Sequence, residues 1–143
     1  GFITAVYPAV WGLGQLITGK MADLFPKKNM LVTGMVLQAI ALFAMIHADH
    51  QMTFILLAAV LGWGTAMVYP TFLATVAENT NPQDRAKSIG VFRLWRDLGY
   101  AIGAIVTGVI ADQLNLNAAI MFIAILTFLS GVVIQLRMEK KTK

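Results

Sequence analysis

The 143-residue sequence contains no cysteine, which excludes disulfides, thiolate metal sites and cysteine nucleophiles together. It is also poor in charge. Asp, Glu, Lys and Arg make up 13% of the residues, where a soluble domain carries about 25%. The only histidines, His47 and His50, flank a short polar loop and read as solvated side chains, so neither a metal site nor a cofactor is expected. The chain lacks HExxH and G-x-S-x-G patterns and a pair of intramembrane aspartates, so an enzyme is not expected. It also lacks G-x-x-x-x-G-K-[ST], the phosphate cradle that ATP-driven work requires. There is no initiator Met and no signal-peptide n-region. The chain opens inside an apolar run at Gly1, as a piece of a longer protein would.

What the sequence holds in abundance is apolar surface. Hydrophobic residues make up 58%, mean hydropathy is +0.72, and the apolar residues come in long runs. Too few polar side chains remain to cover a water-facing surface, so the chain reads as an integral membrane protein surrounded by a lipid bilayer. A spanning helix needs about 20 apolar residues. Five stretches meet that need, at about 1–21, 30–47, 52–77, 88–111 and 118–136. Backbone groups in lipid must bond internally, which leaves helices or closed barrels. Barrel strands alternate over about 10 residues, whereas these runs are long and continuous. The expected fold is all-α, with five transmembrane helices in residues 1–137 and a short basic tail over 138–143.

Orientation follows from the cations. The first break holds Lys20, Lys27 and Lys28. The third holds Arg85 and Lys87, with Arg93 and Arg96 just inside the next helix. The tail holds Arg137, Lys140, Lys141 and Lys143, and the second and fourth breaks hold none. All eleven basic residues therefore lie toward one side, expected to be the cytoplasm, with the C-terminus on that side. The net charge of +4 is then a topology signal, and no nucleic-acid partner is expected.

Three patterns carry a resemblance. The first loop reads G-K-M-A-D-L-F-P-K-K from Gly19 to Lys28. It resembles the loop signature of the major facilitator superfamily, G-x-x-x-D-R-x-G-R-R/K. Gly19, Asp23, Lys27 and Lys28 match, while Leu24 replaces a basic residue and Pro26 a glycine. Glu78 and Arg85 follow an E-x6-R spacing similar to one found at equivalent loops of the family. A plain capped turn at Asn81-Pro82, with Asp84 assisting the next helix start, accounts for the same residues. The fourth run places Gly90, Gly99, Gly103 and Gly108 on the frame G-x8-G-x3-G-P-x2-G-G of facilitator antiporters, with Ala104 and Thr107 as departures. Gly99, Gly103 and Thr107 recur every four residues, a small-residue stripe expected to let helices pack closely.

The resemblance covers essentially the whole chain and implies part of a six-helix half-bundle of a twelve-helix transporter. The third run, LLAAVLGWGTA, lacks the arginine that the fourth helix of the N-terminal half carries near Ala58 or Ala59. The chain is therefore placed at helices eight to twelve, with the N-terminal half as its missing partner. In the family the acids and bases of these loops close the cytoplasmic side. Asp23, Lys27, Lys28, Glu78, Arg85, Arg93 and Asp97 are the candidates for that network.

Arg93, Arg96 and Asp97 lie inside a span, where a charge costs about 2.5–3.5 kcal/mol and seeks a cavity or a partner. Arg93 and Asp97 are four apart and are expected to pair on one face, leaving Arg96 as surplus. A gating or structural network and direct contact with substrate or coupling ion both fit these residues, and both arginines snorkelling to the surface fits as well. In the first helix Tyr7, Trp11, Gln15 and Thr18 share a face suited to a wet cavity. Trp63, Thr65 and Tyr69 neighbour Gly62, Gly64 and Pro70 in the third, where proline removes a backbone bond and can kink the helix. Tyr7, Trp11, Gln15, Trp63, Tyr69, Arg96 and Tyr100 are the substrate-path candidates. The second and fifth helices, with only Gln38, Thr127 and Ser130 as interior polar groups, are expected to face lipid.

The expected function is secondary active transport of a small molecule by alternating access in a bacterial inner membrane. Proton-coupled efflux of a drug or metabolite leads. Proton-coupled uptake of an organic anion remains open, as does a scaffolding role without transport if the 143 residues are the whole protein.

Overall fold

A computed structural model describes residues 2–139, with the side chains of Phe2 and Ile3 excluded. Gly1 and the tail lysines Lys140, Lys141 and Lys143 lie outside the described residues. Five helices follow in order: α1 Phe2–Leu24, α2 Lys27–Met45, α3 Gln51–Glu78, α4 Arg85–Gln113 and α5 Leu116–Arg137. Each contains its expected span within a few residues, and no strand occurs among the described residues. Four helices, α2 to α5, are long and apolar enough to cross a membrane. The 23 residues of α1 would extend about 34 Å, but Tyr7, Gln15 and Thr18 dilute its apolar character.

Local chemistry sets the helix ends. Pro26, at φ −57° and ψ 123°, stands at the N-cap of α2 and separates it from α1. Asn115 caps α5 by accepting a hydrogen bond from the Ala118 backbone N–H at 2.8 Å, which satisfies one of the donors a helix start leaves open. Asp84 occupies the N-cap of α4 without a side-chain capping bond, where its charge alone favours the helix start. Pro8 and Pro70 lie inside α1 and α3, and both helices continue through them.

Packing centres on α3. It lies against α1 on one side and α2 on the other, and α2 in turn packs on α5. Close approach at these seams requires glycine. A Cβ at Gly62 would stand 2.7 Å from the Tyr7 carbonyl oxygen, and one at Gly64 would stand 2.8 Å from the Gly34 carbonyl oxygen. The buried residues are mostly small, such as Ala22, Ala41, Ala58 and Ala66, and Leu31 is among the largest side chains fully buried.

The fourth helix behaves differently. It touches α3 and α5 but buries no residue. A Cβ at Gly90, Gly99, Gly103 or Gly108 would meet nothing within 4 Å. This corrects the expectation that these glycines pack helices together within the chain. Small residues permit close approach only where another backbone stands opposite, and among the described residues none does. The Thr107 hydroxyl turns back on its own helix, to the Gly103 carbonyl at 2.6 Å.

Candidate functional site

The polar and aromatic groups of α1, α3 and α4 converge on Tyr69. Gly62 lets α1 lie close on α3, which brings Tyr7 and Trp11 over the latter. The Tyr7 and Trp11 rings stack with centroids 6.1 Å apart and planes at 28°. Trp11 meets Tyr69 edge to face at 6.3 Å and 87°. The Tyr7 hydroxyl donates to Thr65 Oγ1 at 3.3 Å, and Thr65 Oγ1 donates to the Leu61 carbonyl at 2.9 Å. The Trp11 Nε1–H is shielded from solvent and has no hydrogen-bond partner. Such a group costs about 1–3 kcal/mol, and it is the one buried side-chain polar atom of this kind among the described residues.

From the other side comes α4. Arg96 Nη1 donates to the Tyr69 hydroxyl at 2.8 Å, with the guanidinium carbon 5.3 Å from the Tyr69 ring centroid. Arg96 also holds Asp97, through Nε at 2.8 Å and Nη2 at 2.7 Å, both on Oδ1. Asp97 is thus paired with Arg96, not with Arg93 as the four-residue spacing predicts. The reason lies on α3: Tyr69 anchors the Arg96 guanidinium, and Asp97 completes it. Arg93 is left exposed, and it is the surplus cation. One turn before Arg96, Phe92 packs on Phe72 with centroids 5.8 Å apart, extending the same α3–α4 seam.

Several expected members take other places. Thr18 is fully buried and donates to the Ala66 carbonyl at 2.6 Å, so it belongs to the α1–α3 seam and not to a wet cavity. Trp63 lies beside Gly14, where a Cβ would stand 3.4 Å from its ring, and makes no ring contact with the Tyr7–Trp11–Tyr69 group among the described residues. Gln15 is half-buried. Tyr100 is 65% exposed on α4 and does not join the cluster.

A second group of charges gathers at the end of the bundle where α1 meets α2 and α3 meets α4. Lys27 Nζ contacts Glu78 Oε1 at 2.6 Å, tying the start of α2 to the end of α3. Arg85 does not reach Glu78. Its Nε donates to the Ala77 carbonyl at 3.2 Å, closing off the C-terminal turn of α3, so the capped-turn reading of the E-x6-R spacing is what the geometry shows. Asp23 and Lys28 stand at the same turn. An open concavity of about 580 Å³ lies at the α3–α4 connection, lined by Asn79, Thr80, Asn81, Asp84, Lys87, Ser88 and Val91, and shares no residue with the aromatic cluster. No group of three His, Asp or Glu side chains among the described residues is close enough to hold a metal ion.

Comparison with known proteins follows the same lines. The family model of the Major Facilitator Superfamily matches residues 1–143. The multidrug resistance protein MdtH of Yersinia pestis (strain Pestoides F) is 30% identical over 113 residues, covering 74% of this chain and 28% of that protein. MdtH of Yersinia pseudotuberculosis (serotype O:1b, strain IP 31758) matches to the same extent. An uncharacterized transporter of Buchnera aphidicola, BU588, is 20% identical over 119 residues, covering 83% of this chain and 29% of its own length. The chain thus spans less than a third of the length of these relatives.

Proposed function

The chain belongs to the major facilitator superfamily, a family of membrane transporters, and from that premise we propose that it is the part of a secondary active transporter that builds one wall of the substrate path. The whole protein moves a small molecule by alternating access, two half-bundles rocking about a site near the midplane. The observation that carries this reading is the meeting of α1, α3 and α4 at Tyr69. Counting helical rise, Tyr69 lies about 14 Å from the end of α3 and Arg96 about 17 Å from the start of α4, depths close to the middle of an approximately 30 Å hydrocarbon core. Aromatic rings beside a paired Arg and Asp at that depth suit a water-filled path far better than lipid.

The similarity to MdtH favours efflux, and the absence of an ATP-binding loop in the sequence favours an ion gradient, with protons as the coupling ion. The basic end is then cytoplasmic by the distribution of Lys and Arg. There Asp23, Lys27, Lys28, Glu78 and Arg85 help to close the cytoplasmic side, with Lys27–Glu78 as the closing pair. The membrane is the bacterial inner membrane, and the chain corresponds to helices eight to twelve of twelve. The Arg96–Asp97 pair favours a second reading, uptake of an organic anion with protons.

Reconstitution of the intact protein in liposomes with an imposed pH gradient tests the reading. Efflux of an aromatic dye that collapses when a protonophore is added is the expected result. Dye movement indifferent to every ion gradient would overturn it.

A further inference from the structure

The fourth helix has two sides of opposite character. At about 100° per residue, Arg93, Arg96, Asp97 and Tyr100 fall on one half of its surface. Val91, Trp95, Leu98, Ile102, Ile105 and Val109 fall within about 40° of a single line on the other half. All six of these apolar side chains are exposed. A line of apolar groups free of charge, turned away from the charged side, faces lipid tails when the helix spans a bilayer.

The open concavity of about 580 Å³ at the α3–α4 connection stands at the head of that line. Its three side chains from α4 are Lys87, Ser88 and Val91, all on the apolar half of the helix, so it belongs to the lipid side and not to the path that Arg96 and Tyr69 line. Depth agrees. Counted from Arg85, Lys87 and Ser88 lie about 3–5 Å along α4, within a headgroup layer about 5–7 Å deep. Val91 lies about 9 Å along, at the edge of the hydrocarbon. From Val91 to Ile102 the apolar line runs about 16 Å, against about 15 Å for one leaflet.

The rim carries both signs of charge. Asp84 and Lys87 line it together, and among the described residues neither has an ion-pair partner. An anionic headgroup would meet Asp84 as a like charge, whereas a zwitterion satisfies both residues. Lys87 and the Ser88 hydroxyl donate to a phosphate. The Asp84 carboxylate and the Asn81 amide oxygen accept from an ammonium. A primary ammonium brings three N–H donors, and a trimethylated one brings none.

We propose that this concavity and the apolar line below it form a phospholipid site, selective for a zwitterionic headgroup with a primary ammonium. The headgroup sits between Asp84 and Lys87, and an acyl chain follows Val91, Trp95, Leu98 and Ile102. The lipid thereby covers a helix that buries no residue of its own against the chain. The site does not depend on which molecule is transported, so its failure leaves the transporter reading standing.

Native mass spectrometry of the intact protein in detergent, titrated with one lipid at a time, tests this. The probes are phosphatidylethanolamine, phosphatidylcholine and phosphatidylglycerol of identical acyl chains. The ethanolamine lipid binds at least about fivefold more tightly than the other two. Asp84→Asn lowers that affinity about three- to tenfold and leaves the choline lipid unchanged. Lys87→Gln weakens all three, while Lys20→Gln, which removes an exposed cation elsewhere at the same end, weakens none. The ranking on the unaltered protein carries the test even if a variant fails to fold. Equal binding of the three lipids overturns the proposal, as does an unchanged ranking in Asp84→Asn. Occupancy in a bilayer is read separately, with Ser88→Cys as the single cysteine of the intact protein. A water-soluble maleimide labels it about fivefold more slowly in nanodiscs of phosphatidylglycerol mixed with the ethanolamine lipid than in nanodiscs mixed with the choline lipid. Equal labelling in the two overturns the proposal, and slow labelling in both would mean that another part of the protein fills the concavity.

Discussion

Arg93 and Arg96 sit three residues apart on the same helix and meet different ends. Spacing alone pairs Arg93 with Asp97, because positions four apart share a helical face. What spacing cannot register is Tyr69 on the neighbouring helix, whose hydroxyl and ring fix the Arg96 guanidinium and so draw Asp97 to it. The residue types of the site were legible in the sequence, and Tyr7, Trp11, Tyr69 and Arg96 stand among its seven path candidates, of which Trp63 and Tyr100 do not join them. Their partners were not legible, because partners come from other helices. The pairing has a direct consequence. Asp97→Asn strips Arg96 of its counter-charge and lowers stability by about 1 kcal/mol at most, since an exposed pair is worth little and the Asp97 side chain is 60% exposed. Arg96→Gln together with Asp97→Asn should recover that loss in a detergent unfolding midpoint, whereas Arg93→Gln with Asp97→Asn should not. Recovery with Arg93 and none with Arg96 would reverse the assignment.

At the scale of the element, the third helix owes its continuity to a residue of the first. Proline has no N–H, so Pro70 leaves the carbonyl four residues earlier, at Ala66, without its helical bond. Ala66 is fully buried, so water does not serve it. The Thr18 hydroxyl does, at 2.6 Å. Hydroxyl side chains on neighbouring helices are among the devices that make proline tolerable in membrane helices. The sequence marked Pro70 as a bend and Thr18 as a cavity residue, and neither reading could see that the two answer each other. Thr18→Val keeps the shape and removes the donor, and should cost about 1–3 kcal/mol. Thr18→Ser should retain most of the wild-type stability. In a Pro70→Ala background, where residue 70 regains its N–H, Thr18→Val should become nearly neutral. A double-mutant cycle with no coupling between positions 18 and 70 would dismiss the compensation. Glycines divide in the same way. Gly64→Val drives a side chain into the Gly34 carbonyl and should cost about 1–3 kcal/mol or more. Gly103→Ala enters open space and should leave the unfolding midpoint within about 0.5 kcal/mol of wild type, read in the same melts.

At the scale of the whole molecule, five long apolar runs specify five helices almost without ambiguity, because a chain in lipid has no other way to satisfy its backbone. The same runs say little about which faces meet. The stripe of Gly99, Gly103 and Thr107 looks like a packing seam and is uncovered here, while the seams that exist run through Gly14, Gly34, Gly62 and Gly64, at looser spacing within richly apolar sequence. The distribution of charge is a second global feature readable from residues alone. Lys27 and Glu78 join α2 to α3 at one end, and Arg85 closes α3 at the same end, so the connections 25–26 and 79–84 share a side. The connections 46–50 and 114–115 carry no Lys or Arg and lie at the other. Because the cation-rich side of a membrane protein stays in the cytoplasm, a phosphatase reporter, active only outside the cytoplasm, should be active when fused after Asp49 or Asn115 and silent after Asp84. A fluorescent-protein reporter that folds only inside should give the opposite pattern. Both reporters are needed, because a silent fusion alone is equally the mark of a degraded one. A phosphatase signal after Asp84, or fluorescence after Asn115, would invert or break the five-helix topology, and the closing role of Lys27 and Glu78 would fall with it, since that role depends on the side of the membrane they occupy.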